Sequence, residues 1–455
     1  MKTLFKNVKV LAAAALAACL SVEAGGINLL EPAEDALVPL LTDVQKAYFN
    51  LPADVRRKKF VDEEFRKNFG YPAERIPGER RARRPCQPKT VRLVWEPLET
   101  ASEYTVKVQD VRTGALVVDE TVKGSALNID NLEVAAKYKW TVTGGGKSAS
   151  RTFKTEDMVP RFVRFPDLGN VRDIGGCIGL GGRRVKQGMV FRSIGLNANA
   201  PIVYYSEDEL RAQGRTAEIE AARAKGEELK IVKEMIPGES WVQGEKGAYI
   251  LKRFGIKSEI DLRTDKECFG MTGSPLGDAV KWFHIPSRDY GGMQSQRGKD
   301  AFAKVFKIFL DEKNYPIDFH CISGSDRTGS LSYILLAVLG VDEDTLAKDW
   351  EASALWARST GFCHEKRYDK LVDGFKKNFP AATAVERVEK YILSAGFCAE
   401  DIEKFRSIML EQDLKHKIKS HPCASLLTPF YMKGIISPEN AVRAFAVTST
   451  ARPRN

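Results

Sequence analysis

The period of the hydrophobic residues changes along this chain, and that change limits the fold more than any other feature. From about 39 to 70 the pattern is mostly helical. Pro39 suits a first-turn position, where a missing N–H costs nothing. Leu41, Val44 and Tyr48 then fall at helical spacing, with polar Thr42, Asp43, Gln45 and Lys46 around them. Pro52 interrupts this run, and Pro72 and Pro77 punctuate a basic linker. From about 86 the period becomes two, in Thr90 to Trp95, Tyr104 to Val108 and Tyr138 to Val142. Turn signals at Thr113-Gly114 and Gly144-Gly145-Gly146 separate these runs, which predicts a small β-sandwich. From about 160 strands and helices alternate, the mark of an α/β domain. Ile256 to Ile260 and Tyr315 to Phe319 read as short buried strands. Ser330 to Leu339 and Asp342 to Trp356 read as helices. A charged stretch at about 205–235 reads as an exposed helical insertion, either solvated or lying over a site.

At 455 residues, several domains are expected. The boundaries are an export signal at 1–24, a helical segment with basic linker at 25–85, the β-sandwich at 86–156, the α/β domain at 157–412 and a tail at 413–455. The tail carries Pro422, Pro429, Pro438 and Pro453 without a clear period. At the N-terminus, Lys2, Lys6 and Lys9 precede an uncharged run of 13 residues from Val10 to Val22. A spanning helix needs roughly 20 apolar residues, so the run is too short for one and fits an export signal instead. Val22-Glu23-Ala24 suits simple cleavage, whereas Leu16-Ala17-Ala18-Cys19 resembles a bacterial lipobox, with Cys19 as the lipidated residue. The lipobox reading is favoured. The chain is accordingly expected in the periplasm, on the cell surface through Cys19, or secreted.

The net charge of +10 suits anionic ligands in general. Two basic runs, Arg56 to Lys59 and Arg80 to Arg84, carry no interleaved aromatics and read as solvated surface, so no nucleic-acid partner is expected. The scattered Cys86, Cys177, Cys268, Cys363, Cys398 and Cys423 show no zinc or redox spacing, and the five histidines form no metal pattern. Neither a metal nor a cofactor is expected.

The chemistry concentrates in His320-Cys321-Ile322-Ser323-Gly324-Ser325-Asp326-Arg327-Thr328-Gly329. A Cys followed six residues later by Arg occurs three times. Cys86 to Arg92 runs straight into a strand, and Cys177 to Arg183 leads into a hairpin. Only Cys321 to Arg327 joins an apolar strand to an apolar helix. There the backbone from Ile322 through Ser323, Gly324, Ser325 and Asp326 to Arg327 can curl into an anion-binding nest. The following helix adds its positive N-terminal end, and Arg327 can grip two phosphate oxygens through its planar fork. The same field lowers the Cys321 thiol below its free value of about 8.5. Thr328 can donate to the thiolate and help it leave. The implied chemistry is covalent: attack on phosphorus, a cysteinyl-phosphate, then hydrolysis.

This segment resembles the signature of the bacterial tyrosine phosphatase family. Asn170-Val171-Arg172-Asp173-Ile174-Gly175-Gly176 followed by Phe191-Arg192-Ser193, then Asp261-Leu262-Arg263, Leu339-Gly340-Val341-Asp342 and Asp349-Trp350, resemble further stretches of it. The resemblance covers roughly 160–410. It implies a protein-tyrosine-phosphatase-like domain with a four- to five-stranded parallel sheet flanked by helices, acting on phosphotyrosine or related monoesters. Ser325 stands where relatives active on phosphoinositides commonly carry Lys, which weakens the case for a highly charged lipid headgroup. Trp95 with Tyr138-x-Trp140 resembles a fibronectin-type-III or related Ig-like module, whose partner is unknown.

Two candidates compete for general acid. Asp326, in the loop, is one by resemblance. Asp289, in Pro286 to Gly292 after the strand Val280 to Ile285, is the other, with Gly291-Gly292 as a hinge. Asp261 is expected to orient arginines such as Arg263, and Arg172 with Asp173 to form a buried pair or touch substrate. His320 supports the loop. The expected function is hydrolysis of phosphotyrosine-type esters. The alternatives are an inositol polyphosphate or phosphoinositide phosphatase, or a phosphate-binding adaptor without turnover.

Overall fold

The computed structural model describes residues 26–59, 87–356 and 367–412. The expected export signal with Cys19, the basic linker after 59 and the tail after 412 lie outside the described residues, as do Cys86, Cys363 and Cys423. The chain divides into two compact units, one holding residues 87–164 and the segment before 53, the other residues 53–59 and everything from 165.

The first unit contains two sheets. One has the order β1-β3-β6 (Leu29–Glu31, Val91–Trp95, Ala126–Ile129). The other has the order β2-β8-β7-β4-β5 (Ala36–Val38, Lys147–Thr155, Lys137–Gly144, Tyr104–Asp110, Leu116–Val122). Alternation decides what each strand buries. Val91, Leu93 and Trp95 point inward from β3, Tyr104, Val106 and Val108 from β4, and Tyr138, Trp140 and Val142 from β7. All belong to one core, in which the Trp95 and Tyr104 rings meet edge-on at 5.4 Å. Gly145 and Gly146 make the two-residue turn between β7 and β8 with φ of +56° and +76°, the left-handed conformation such a hairpin requires. The expectation of a helical segment from 25 needs correction. Residues 29–31 and 36–38 pair as strands with β3 and β8, and helix begins only at α1 (Asp43–Phe49), where Thr42 and Gln45 form a capping box. A two-residue strand, β9 (Arg161–Phe162), ends the unit.

The second unit is α/β. Four strands run parallel in the order β15-β14-β16-β11 (Lys281–His284, Ser258–Asp261, Ile317–His320, Val190–Ser193), and β10 (Arg172–Asp173) joins β11 antiparallel. The register aligns the strand ends: Asp261 sits opposite both His284 and His320, and Ser193 opposite His320. This common C-terminal edge is where a parallel sheet presents its site. Helix α7 (Asp326–Val338) leaves β16 and is buried on every side, which explains its unbroken apolar run. Around it lie α6 (Gln296–Phe309), α8 (Glu343–Trp356), α9 (Tyr368–Asn378), α10 (Ala384–Ser394) and α11 (Ala399–Met409). Aromatic contacts such as Phe306–Phe405 at 5.3 Å and Phe302–Tyr391 at 5.0 Å join α6 to α11 and α10.

Two further expectations change here. The stretch at 205–235 is not helix alone: β12 (Ile202–Tyr204) pairs antiparallel with β13 (Val232–Met235), enclosing α3 (Glu207–Ala212) and α4 (Thr216–Ala224). The first basic run is not wholly solvated either. Arg56, in α2 (Ala53–Lys59), is 1% exposed, and its Nε donates to Glu351 at 2.7 Å while its fork also pairs with Asp344. No helix of the described residues is long and apolar enough to cross a membrane, and Cys177, Cys268, Cys321 and Cys398 are free. α5 (Glu245–Phe254) leads into β14, and Gly255 closes it in the left-handed conformation.

Candidate active site

Cys321 follows β16 and is 2% exposed, while α7 begins five residues later. The turn between them is shaped by what its carbonyls do. The Gly195 N–H donates to Ile322 O at 3.1 Å, Asn170 Nδ2 to Ser323 O at 2.8 Å, and Arg192 Nη2 to Gly324 O at 2.7 Å. Three successive carbonyls are thus tied to groups around the loop. In a trans peptide the N–H points opposite its C=O, so the N–H groups of Ser323, Gly324 and Ser325 face the inside of the curl. Gly324 has φ of +64°, and a Cβ there would collide with Ser193 O, so no other residue fits.

The thiol sits in competing fields. Burial pushes the Cys321 thiol upward. The Arg327 guanidinium, the Thr328 hydroxyl and the N–H groups of Thr328 and Gly324 outweigh it, and the thiol lies below its ordinary value. The Thr328 hydroxyl is buried without a conventional hydrogen-bond partner, which leaves it for the sulfur. The Arg327 fork is held by Glu267, with Nη1 donating at 2.8 Å and Nη2 at 3.2 Å. Burial disfavours the Arg327 charge, but Glu267 and the Cys321 thiolate more than compensate, keeping it a firm cation.

A second layer holds the loop. Asp349 of α8 accepts from Arg172 Nε at 3.1 Å, Arg192 Nη1 at 2.5 Å and Ser332 Oγ at 2.8 Å. Arg172 also donates to Asn170 and, at 3.0 Å, to Ser353. The two arginines that reach the loop, one through Asn170 and one directly, therefore share one buried carboxylate. Arg172 is part of this buried pairing. Asp173 lies apart from it and accepts from Gly175 N at 2.7 Å and Gly188 N at 2.5 Å, fixing the turn after β10.

Glu259, Asp261 and His320 place their ligand-type atoms within 4.8 Å of one another, a grouping the sequence did not suggest. These donors are already committed. His320 Nε2 bonds Glu259 at 2.9 Å, and Asp261 takes Arg263 Nε at 2.9 Å and Nη2 at 2.6 Å. Burial disfavours the imidazolium, yet Asp261 and Glu259 hold His320 up to about 9. Two carboxylates, an imidazolium and a guanidinium then balance in charge without an added ion. The His320 ring is also 3.2 Å from Cys321 O, so the cluster orients the start of the loop.

The two candidate acids differ. Asp326 Oδ1 accepts from Arg367 Nη1 at 2.8 Å and from the Tyr290 hydroxyl. Burial, and then the Asp289 charge, push Asp326 upward against the pull of Arg367 and Arg327. Asp289 is half-buried, close enough to influence both Asp326 and Arg327. The expected Gly291-Gly292 hinge is wound into a 3-10 turn, Tyr290–Gln294. Tyr391 Oη donates to Met293 O at 2.9 Å, and the Tyr290 N–H to Ser330 Oγ at 3.0 Å. Ser325 is buried and donates to Ser323 O at 3.2 Å.

Sequence reasoning gave no role to Asn170, Arg192, Glu267, Tyr290, Asp349 or Arg367. Some left a signal: Arg192 is charged inside a fully buried strand, and Asp349 interrupts the apolar face of α8. Glu267, Tyr290 and Arg367 left none, because their partners are distant in sequence.

Residues 242–411 match the model of the tyrosine phosphatase family, less than half of the chain. They include the Cys321 loop, Asp261, Glu267, Asp289 and Asp349. A similar protein is a candidate tyrosine-protein phosphatase of Cupriavidus necator, 27% identical over 188 residues, which are 41% of this chain and 61% of that relative. The match leaves well over a third of the relative uncovered.

Proposed function

We propose that the second unit is a cysteine-dependent phosphatase acting on phosphotyrosine-type monoesters. Cys321 attacks phosphorus, Arg327 and the N–H groups of Ile322 to Arg327 hold the phosphoryl oxygens, and a cysteinyl-phosphate forms. Asp326 or Asp289 protonates the leaving oxygen, Thr328 assists departure of the thiolate, and water completes hydrolysis. The observation carrying this reading is the lowered thiol of a buried Cys321 inside a loop whose carbonyls are tied outward. The family match over 242–411 supports it. Ser325, buried and neutral, favours a singly phosphorylated ester over a phosphoinositide headgroup. Inositol polyphosphates remain the alternative substrate, supported by the net charge of +10. An adaptor without turnover is disfavoured by the joint presence of Cys321, Arg327 and Thr328.

The first unit, with its shared core of two sheets, is proposed as a fibronectin-III/Ig-like sandwich that spaces the enzyme or binds a partner. Export, with anchoring through Cys19, is proposed from the N-terminal pattern alone.

The test compares wild type with Cys321→Ser on a phosphotyrosyl peptide, a phosphoseryl peptide and inositol hexakisphosphate, in EDTA. Turnover of the phosphotyrosyl peptide that vanishes in the variant is expected. Preference for the hexakisphosphate would shift the reading to the alternative, and phosphate binding without turnover on any of them would leave only the adaptor.

A further inference from the structure

Asp326 is held from one side only. Both donors that reach its carboxyl, the Tyr290 hydroxyl and Arg367 Nη1, converge on Oδ1, and Oδ2 accepts nothing from the described residues. A carboxylic acid whose first oxygen already accepts two hydrogen bonds carries its proton on the second. Tyr290 is an unusual residue for this work. Its φ of +44° lies in the left-handed region, which is unfavourable for a bulky side chain and persists only where the surroundings over-determine it. Three contacts do so here: the Tyr290 N–H donates to Ser330 Oγ on α7 at 3.0 Å, the ring lies 6.0 Å from Trp350, and the hydroxyl reaches Asp326. Trp350 is itself seated against Gly329, one turn of α7 from Asp326.

We propose that Tyr290 is a positioning residue which, with Arg367, fixes Asp326 through Oδ1 and leaves Oδ2 to protonate the departing alcohol. This rests on the phosphatase reading and settles which of its two carboxylates is the acid. As Cys321 Sγ bonds to phosphorus, the P–O ester bond breaks and its electron pair goes to the leaving oxygen, which takes the Oδ2 proton. In the second step water attacks phosphorus, gives a proton back to Asp326, and the S–P electron pair returns to sulfur. The groups facing Asp326 are Tyr290, Arg367, Arg327 and Asp289; burial and Asp289 favour its protonated form, while Arg367 and Arg327 oppose it.

Leaving-group dependence separates this role from a structural one. Phenolate, the conjugate base of an acid with pKa of about 10, needs a proton to leave, whereas 2,4-dinitrophenolate leaves without one. With the full chain, Asp326→Asn should lower kcat on phenyl phosphate by about 100-fold, the low end of general-acid effects. Tyr290→Phe, which keeps the ring and the N–H, should lower it by about 10-fold with KM unchanged. On 2,4-dinitrophenyl phosphate both variants should keep kcat/KM within about twofold of wild type, because kcat/KM reports only the steps through cysteinyl-phosphate formation, before Asp326 takes the proton of the attacking water. Should Tyr290→Phe fold poorly, Arg367→Gln tests the same clamp: removing a cation that opposes protonation should move the alkaline limb of kcat to higher pH. Equal losses of kcat/KM on both esters, or an unmoved limb in Arg367→Gln, would overturn the proposal. So would leaving-group selectivity that appears in Asp289→Asn and not in Asp326→Asn. No turnover of either ester by wild type would instead defeat the phosphatase reading, and the proposal with it.

Discussion

Asp318 shows how far one buried residue can depart from its solution behaviour. Its side chain faces the interior from β16, where Ser193 Oγ donates to Oδ2 at 2.9 Å and Oδ1 has no partner. Burial raises it from 3.8 to about 7, with His320 and Ser193 only partly offsetting that. A carboxyl raised on folding stabilises the protein fully below its unfolded value, and that contribution is lost as pH rises through the folded value. Asp318→Asn, which stays neutral, should therefore gain on wild type as pH rises from 3.8 to about 7 and hold that gain above it. Urea midpoints at pH 5 and 9 check this, and a difference between the two proteins that does not grow toward pH 9 would refute it. His320 adds a loss in the same direction, since its imidazolium is favoured by folding up to about 9. The Cys321 loop was legible at this scale because it is local: Cys, Gly, Arg and Thr act through the backbone that joins them. Glu267, which grips Arg327, was not, since nothing local distinguishes it from any acidic residue on a turn.

At the scale of elements, the loop depends on the way β10, β11 and α8 are pinned together. Asp349 is the carboxylate that pairs with both buried arginines, and despite its burial Arg192 and Arg172 hold it below the ordinary carboxylate range. Removing it leaves both guanidinium groups without that partner. Asp349→Ala should cost about 3–5 kcal/mol and release the Asn170 and Arg192 donors that turn the Ser323 and Gly324 carbonyls outward. Urea unfolding measures the first effect, and a rise of the Cys321 pKa, followed by the pH dependence of iodoacetamide alkylation, measures the second. An unchanged alkylation profile would show that the loop keeps its shape without this brace. Helix α8, the strand before Cys321 and the helix after it were visible from period alone, whereas the two-residue β10 is too short to show one. The ribbon of β12 and β13 was missed because β12 is only three residues long and β13 carries exposed Lys233 and Glu234, which read as helix surface.

At the scale of the whole chain, a unit need not be a continuous stretch. Arg56 lies far upstream of 165, yet α2 belongs to the second unit, where Arg56 meets Glu351 on the same helix as Asp349. A fragment cut at 157 lacks this partner. Arg56→Ala in the full chain should cost the second unit about 3–5 kcal/mol, because Glu351 stays buried without its guanidinium. The 157–455 fragment should lose a similar amount. Urea midpoints followed by loss of phosphatase activity compare the three, and a variant as stable as wild type would show the pair to be dispensable. Short-range pattern separates a strand-rich first unit from an α/β second unit and marks the turn from His320 to Gly329. Alternation, helical period and the run from His320 to Gly329 are short-range patterns that need no knowledge of distant neighbours. What surrounds that loop follows from long-range packing: Glu267 on Arg327, Tyr290 and Arg367 on Asp326, Asp349 between two arginines. Such partners are chosen by the register of the sheet and the packing of helices on it, which bring together charges tens or hundreds of residues apart and bury them where they must pair.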